Sequence, residues 1–185
     1  LVRIWTDPRA TPQYYPLVFT TFWIEYQLWQ LAPLGYHLVN VLLHAANALL
    51  VAAALRRLRI PGAWLASALF ALHPVHVESV AWVTERKNVL SGTFYLLALL
   101  SYLRFARFGD AADAPRRWPW YIVTLLCFTA ALLAKTVTCS LPAVLLLLHW
   151  WQSGRIRWRD FAPTLPLLAV GGMPVCDVQV SQSWK

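Results

Sequence analysis

The chain has 185 residues, of which 59% are hydrophobic and only 13% charged, with 11 Trp and a formal net charge of +8. Soluble domains carry about a quarter charged residues, so the balance excludes an ordinary soluble enzyme. It predicts an all-α, polytopic transmembrane helix bundle with membrane lipid as a partner. The positive charge falls in loops between apolar runs, not on a basic soluble face interleaved with aromatics, which argues against nucleic acid. Cys127, Cys139 and Cys176 form no CxxC pair, and no disulfide framework or zinc site is expected from them.

In chain order, residues 1–34 read as an extracytoplasmic aromatic loop carrying an amphipathic helix from about Pro16 to Leu31. Its Trp and Tyr residues suit the membrane–water interface, and Glu25 is the one carboxylate of the helix. There is no initiator Met and no signal peptide, and the first residues read as the interior of a longer chain. Residues 35–162 read as the helix bundle, with five stretches approaching the roughly 20 apolar residues that cross a bilayer. These are Tyr36–Leu55, Ala63–Thr84 interrupted by Pro74, Val89–Leu103 continuing to Phe108, Trp118–Ala134, and Thr136–Trp151. Residues 163–185 begin like a further span, then break at Gly171-Gly172 and turn polar around Asp177 and Lys185, as a partial or truncated span would.

Strict alternation of the five spans sorts the charges. Arg56, Arg57, Arg59, Arg104, Arg107, Arg116, Arg117, Arg155, Arg157 and Arg159 fall on one side; Arg3, Arg9, Arg86, Lys87 and Lys135 fall on the other. Basic loops stay in the cytoplasm, so the second group is extracytoplasmic. The Arg- and Ala-rich loops favour a bacterial inner membrane, or the endoplasmic reticulum in a eukaryote.

Candidate chemistry collects on the extracytoplasmic side. His73-Pro74-Val75-His76-Val77-Glu78 places two imidazoles and a carboxylate beside a helix-breaking proline. Such groups near a bilayer need partners or a task, and His73, His76 and Glu78 are the catalytic candidates, as acid and base. A divalent metal is an alternative use of this cluster, but its spacing is not a specific ligand pattern, and no cofactor is firmly expected. Arg86, Lys87 and Lys135 are the candidates for binding a donor phosphate through charge-assisted hydrogen bonds. His37, Asn40, His44 and Asn47 fall within roughly 80° of one another on the first span. This stripe should face the bundle as interhelical glue or, at His37, Asn40 and His44, as a cavity lining.

Several blocks resemble a known family. They are Tyr15-Pro16-Leu17, Leu34-Gly35-Tyr36-His37-Leu38-Val39-Asn40 continuing to Ala45, Ala71 to Trp82 with Glu85-Arg86-Lys87-Asn88, and Leu133-Ala134-Lys135 with Leu141-Pro142. Together they resemble the membrane domain of the transmembrane and tetratricopeptide-repeat (TMTC-like) proteins and their bacterial relatives, over roughly residues 14–166. That family is similar to the GT-C glycosyltransferases. The resemblance implies a partial GT-C-like bundle and transfer of a sugar from a polyprenyl-phosphate donor to an extracytoplasmic protein or glycan acceptor, with protein O-mannosylation as one form. It places the family's catalytic acid upstream of the first residue here and a tetratricopeptide array downstream, so this stretch alone is expected to be inactive. A membrane transporter or a non-catalytic scaffold is the alternative reading of the polar residues alone.

Overall fold

The computed structural model describes residues 2–7, 14–108, 117–155 and 158–172. Arg9, Arg116, Arg157 and the polar end with Cys176, Asp177 and Lys185 lie outside these residues. The described chain is all-helical: α1 (Val2–Thr6), α2 (Pro16–Trp29), α3 (Pro33–Arg57), α4 (Ala63–Leu72), α5 (Val77–Ala81), α6 (Arg86–Phe105), α7 (Trp118–Ala134), α8 (Leu141–Ser153), α9 (Trp158–Phe161) and α10 (Thr164–Gly172). The all-α reading of the sequence is borne out.

Proline and glycine set most boundaries. Pro16, Pro33, Pro119 and Pro142 each stand in the first turn of a helix, where a missing N–H costs nothing. Gly62 (φ 76°) opens α4 and Gly154 (φ 67°) closes α8, both in the left-handed region that glycine enters without strain. Pro74 forces His73 into an extended conformation (φ −68°, ψ 128°) and so ends α4.

The second expected span is therefore not one helix. It is α4, a 3₁₀ turn Pro74–His76, the single-turn α5 and a second 3₁₀ turn Val83–Glu85. With ten residues α4 reaches only about 15 Å, half the hydrocarbon thickness. The fifth stretch is also shortened, because Thr136–Ser140 is a 3₁₀ turn and α8 has 13 residues. Among the described residues α3 alone is both long and apolar enough to cross a membrane by itself. The third stretch begins earlier than its hydropathy implies, because Arg86, Lys87 and Asn88 form the first turn of α6.

The core is the antiparallel pair α6–α7, with α3 against the other side of α6. Ala98, Leu99, Tyr102, Leu103 and Phe105 of α6 bury against Phe128 and Leu132 of α7, Leu141 and Leu145 of α8, and Leu167 of α10. Polar bonds tie the helices together inside this apolar packing. Ser67 Oγ donates to the Ala48 carbonyl at 2.5 Å, and Asn47 Nδ2 donates to the Val89 carbonyl at 2.9 Å where Gly92 lets α3 and α6 approach. Tyr121 donates its hydroxyl to the Pro163 carbonyl at 2.7 Å.

The outside is apolar. Leu38, Leu42 and Leu49 of α3, Trp64, Leu65 and Leu69 of α4, Ile122 and Leu126 of α7, and Trp150 and Trp151 of α8 are all exposed. Helix α2 follows the same pattern: Trp23, Ile24, Tyr26 and Leu28 point out, while Glu25 is buried. A water-facing amphipathic helix has the reverse distribution.

Candidate functional site

Arg86 is among the largest fully enclosed side chains of the described residues, with none of its surface exposed. One guanidinium nitrogen pairs with Glu25 Oε1 of α2. Nε donates to Asn40 Oδ1 at 2.7 Å, and the remaining nitrogen donates to the Tyr36 carbonyl at 2.8 Å. The plane also sits over the Phe22 ring, 5.0 Å from its centroid. Asn40 completes the knot, donating Nδ2 to the Val80 and Trp82 carbonyls, both at 3.2 Å. This one cation thus fastens α2, α3 and the 80–82 backbone to the start of α6. Each of its three nitrogens donates to a protein oxygen, and Glu25 is its buried counterion.

Two residues along, Asn88 faces another way. Residues i and i+2 on a helix do not share a face. Asn88 Oδ1 accepts from the Lys135 ammonium at 2.6 Å, while its Nδ2 donates to Ser79 Oγ at 3.0 Å and Glu85 Oε2 at 2.8 Å. The orientation of this amide is dictated by charge. Turned over, it would set oxygen against the Glu85 carboxylate and N–H₂ against the ammonium. Lys87 pairs with the other Glu85 oxygen at 3.2 Å.

Lys135 follows the last residue of α7. It is extended (φ −165°, ψ 127°), and its N–H still donates to the Ala131 carbonyl at 2.8 Å. Among the described residues no carboxylate pairs with it. Its side chain lines a cavity of about 540 Å³ together with Asn47, His76, Ser79, Asn88, Ser91 and other residues of α3, α6 and the 137–140 turn. That is the size range of small-ligand sites. The lining offers one ammonium, hydroxyls and amides, a set suited to a phosphate and a sugar.

A second cavity of about 340 Å³ lies across a wall of aromatic rings. It is lined by His37, His44, His73 and His76, with Val41, Val80 and other apolar groups. His44 and His76 line both cavities. The wall is built from His44, Phe70 and His76, with centroid separations of 5.3 Å (His44–Phe70), 5.2 Å (His44–His76) and 4.4 Å (Phe70–His76). His44 Nε2 donates to the Ala71 carbonyl at 3.1 Å, and His73 Nδ1 accepts from the Val75 N–H at 3.2 Å, which places the His73 proton on Nε2. His76 sits on the turn between α4 and α5, outside the long helices. Burial first, then the His44 and His73 imidazoles, hold its pKa below the ordinary 6.5 and favour the neutral ring.

The sequence-derived candidates thus separate. His37, His44, His73 and His76 meet around the smaller cavity. Asn40 lines neither cavity and holds Arg86 instead. Glu78 is exposed, lines neither cavity, and has no side-chain partner among the described residues. Lys87 also lines neither. Among the described residues no group of three His, Cys, Asp or Glu is placed to hold a metal ion. The sequence does not reveal Ser79 and Asn88 as neighbours of Lys135. The residues are on view in the Ala71–Ser91 block, but nothing in a single sequence pairs position 88 with position 135.

The described residues define a class first: an all-helical protein with an apolar exterior, an apolar core crossed by polar bonds, and an ammonium without a carboxylate partner lining a ligand-sized cavity. No family model matches the chain, and no solved structure is similar to it. Curated relatives are similar. Protein O-mannosyl-transferase TMTC2 of Mus musculus is 33% identical over 86% of this chain and 19% of its own length. Tmtc2 of Drosophila melanogaster is 40% identical over 70% of the chain and 14% of its own. The Xenopus laevis tmtc2 protein is 43% identical over 75% and 17%. The chain belongs to the TMTC-like family. It spans less than a fifth of the length of these relatives.

Proposed function

We propose that the chain is part of a multi-pass membrane glycosyltransferase that moves a sugar from a polyprenyl-phosphate donor to a hydroxyl of an extracytoplasmic protein acceptor. Mannose is the sugar that the relatives' names suggest. The observation that carries the reading is Lys135: a cation without a carboxylate partner among the described residues, lining a mostly apolar cavity that also presents Asn47, Ser79, Asn88, Ser91 and Thr138.

In the transfer, the acceptor oxygen attacks the anomeric carbon and loses its proton to a base. The bond from that carbon to the phosphate oxygen breaks, and the phosphate leaves with the electron pair. Lys135 stabilises the charge gathering on that oxygen. Arg86, enclosed by Glu25, Asn40 and Tyr36, supports the site by fixing α2 and the first turn of α6. His76, whose lowered pKa favours the neutral ring and which lines both cavities, is suited to exchange a proton or to orient a sugar hydroxyl. His73 lies beside it. Glu78, exposed in α5 and outside both cavities, would meet an acceptor only as it approaches. The apolar exterior, with Trp150 and Trp151 at one end of α8, supports an integral membrane setting.

The test is transfer of radiolabelled mannose from a polyprenyl-phosphate donor to a protein acceptor by the purified full-length parent. Lys135→Ala is expected to lower kcat/KM about 10- to 100-fold, the worth of a charged hydrogen bond. Wild-type transfer left unchanged by Lys135→Ala removes Lys135 from the reaction, and no transfer by folded wild type refutes the reading.

A further inference from the structure

We propose that Asn88 is a positioning residue for Lys135, holding the ammonium at the cavity wall through a neutral amide so that its charge remains available to an anionic ligand. The proposal rests on the transferase reading for the identity of that ligand, a polyprenyl phosphate, but not for the contact itself.

Three observations carry it. First, the amide has a charged group on each side, Lys135 at 2.6 Å from Oδ1 and Glu85 at 2.8 Å from Nδ2, and Ser79 takes its second N–H at 3.0 Å. The two N–H donors are both engaged, so the group cannot swing away without losing all three bonds. Second, a carboxylate is near but held off. Glu85 reaches Lys135 only through the Asn88 amide, and its other oxygen is occupied by Lys87. A direct Glu–Lys pair would neutralise the cation, whereas an amide oxygen aligns the ammonium and leaves its charge in place. Third, Lys135, Asn88 and Ser79 all line the 540 Å³ cavity, so the aligned ammonium borders the space where a ligand fits. The relay joins three separate stretches: the connecting segment at Ser79 and Glu85, the first turn of α6, and the end of α7.

The test uses the full-length parent and two readouts. One is the acetylation rate of Lys135 by acetic anhydride, followed by mass spectrometry, which needs no turnover. The double variant Asn88→Asp with Glu85→Gln places a carboxylate on the ammonium while avoiding a clash of two carboxylates. It is expected to slow acetylation about ten-fold, the effect of one pKa unit. The other readout is KM for the polyprenyl-phosphate sugar, expected to rise about ten-fold with kcat changed less, as lost ground-state binding requires. Ser79→Ala, which removes a single acceptor from the amide and leaves the charges alone, is expected to raise KM about three-fold, one neutral hydrogen bond's worth; it carries the test if the double variant does not fold.

Unchanged acetylation overturns the contact. Slower acetylation with unchanged KM in an active enzyme overturns the role in ligand binding. If wild type transfers nothing, the transferase reading fails separately, and undecaprenyl phosphate protection of Lys135 from acetylation decides the matter. Protection in wild type that is lost in the double variant supports the proposal; equal or absent protection in both overturns it.

Discussion

Replacing Arg86 by Met should be among the most destabilising single changes in this chain, and the structure gives its size. Arg86 is fully enclosed and Glu25 retains only 5% of its surface. Removing the guanidinium leaves a carboxylate buried without its counterion, and Glu25 Oε2 already lacks a hydrogen-bond partner among the described residues. Breaking a buried pair from one side costs about 3–5 kcal/mol. Asn40 Oδ1 loses its donor as well, adding about 1 kcal/mol. The partner change Glu25→Gln strands the cation and should cost a similar amount. The pair Glu25→Leu with Arg86→Met removes both charges and should recover most of the loss, because apolar replacement of a buried ion pair is often close to neutral. A double-mutant cycle on the full-length parent, read by SDS-induced unfolding, measures the coupling. A coupling below about 1 kcal/mol, or a double variant no better than Arg86→Met alone, would refute the reasoning that this ion pair locks α2 to the bundle.

Gly92 faces Asn47 Nδ2 at 3.3 Å from an added Cβ, so Gly92→Leu should separate α3 from α6 and cost about 1–3 kcal/mol by overpacking, seen as a lower unfolding midpoint. Tyr121→Phe removes the buried hydroxyl that donates to the Pro163 carbonyl and should cost about 1 kcal/mol in the same assay. For His76 the folded pKa lies below 6.5, so the unfolded chain takes up the proton first. Its contribution to stability is therefore complete above the unfolded value of 6.5 and declines as pH falls from there toward the folded value. His44→Ala removes one of the imidazoles that depress it and should move the His76 midpoint upward, measurable by NMR titration of the imidazole; a midpoint that stays put refutes the assigned cause.

Much of the fold is legible in the residues. Apolar runs announce α3, α7 and the later part of the Thr136–Trp151 stretch, and the helix-breaking action of Pro74 is readable from one residue. The position of α6 is not, because hydropathy marks its apolar part from Val89 while its first turn holds Arg86, Lys87 and Asn88. Those polar residues are helical because tertiary partners at Glu25, Asn40 and Lys135 satisfy them. The stripe His37-Asn40-His44-Asn47 is visible as periodicity. Its division of labour is not: Asn40 bonds to backbone and cation and lines neither cavity, Asn47 bonds to backbone and lines the larger one, and His37 and His44 line the smaller one. The three basic candidates look alike in sequence. They differ only in whether a carboxylate meets them, as it does Arg86 and Lys87 and does not Lys135 among the described residues. The contacts that set them apart span 61 residues from Arg86 to Glu25 and 47 from Lys135 to Asn88, beyond any local pattern.

The first turn of α6 carries two unrelated obligations two positions apart: Arg86 toward α2 and α3, Asn88 toward the end of α7. A helix turns about 100° per residue, so one residue gained or lost between them would swing one of these groups off its partners. Length variation in descendants of this sequence should therefore be absent from 86–88. The spacing itself, rather than any single side chain, is the inherited quantity at this corner of the protein.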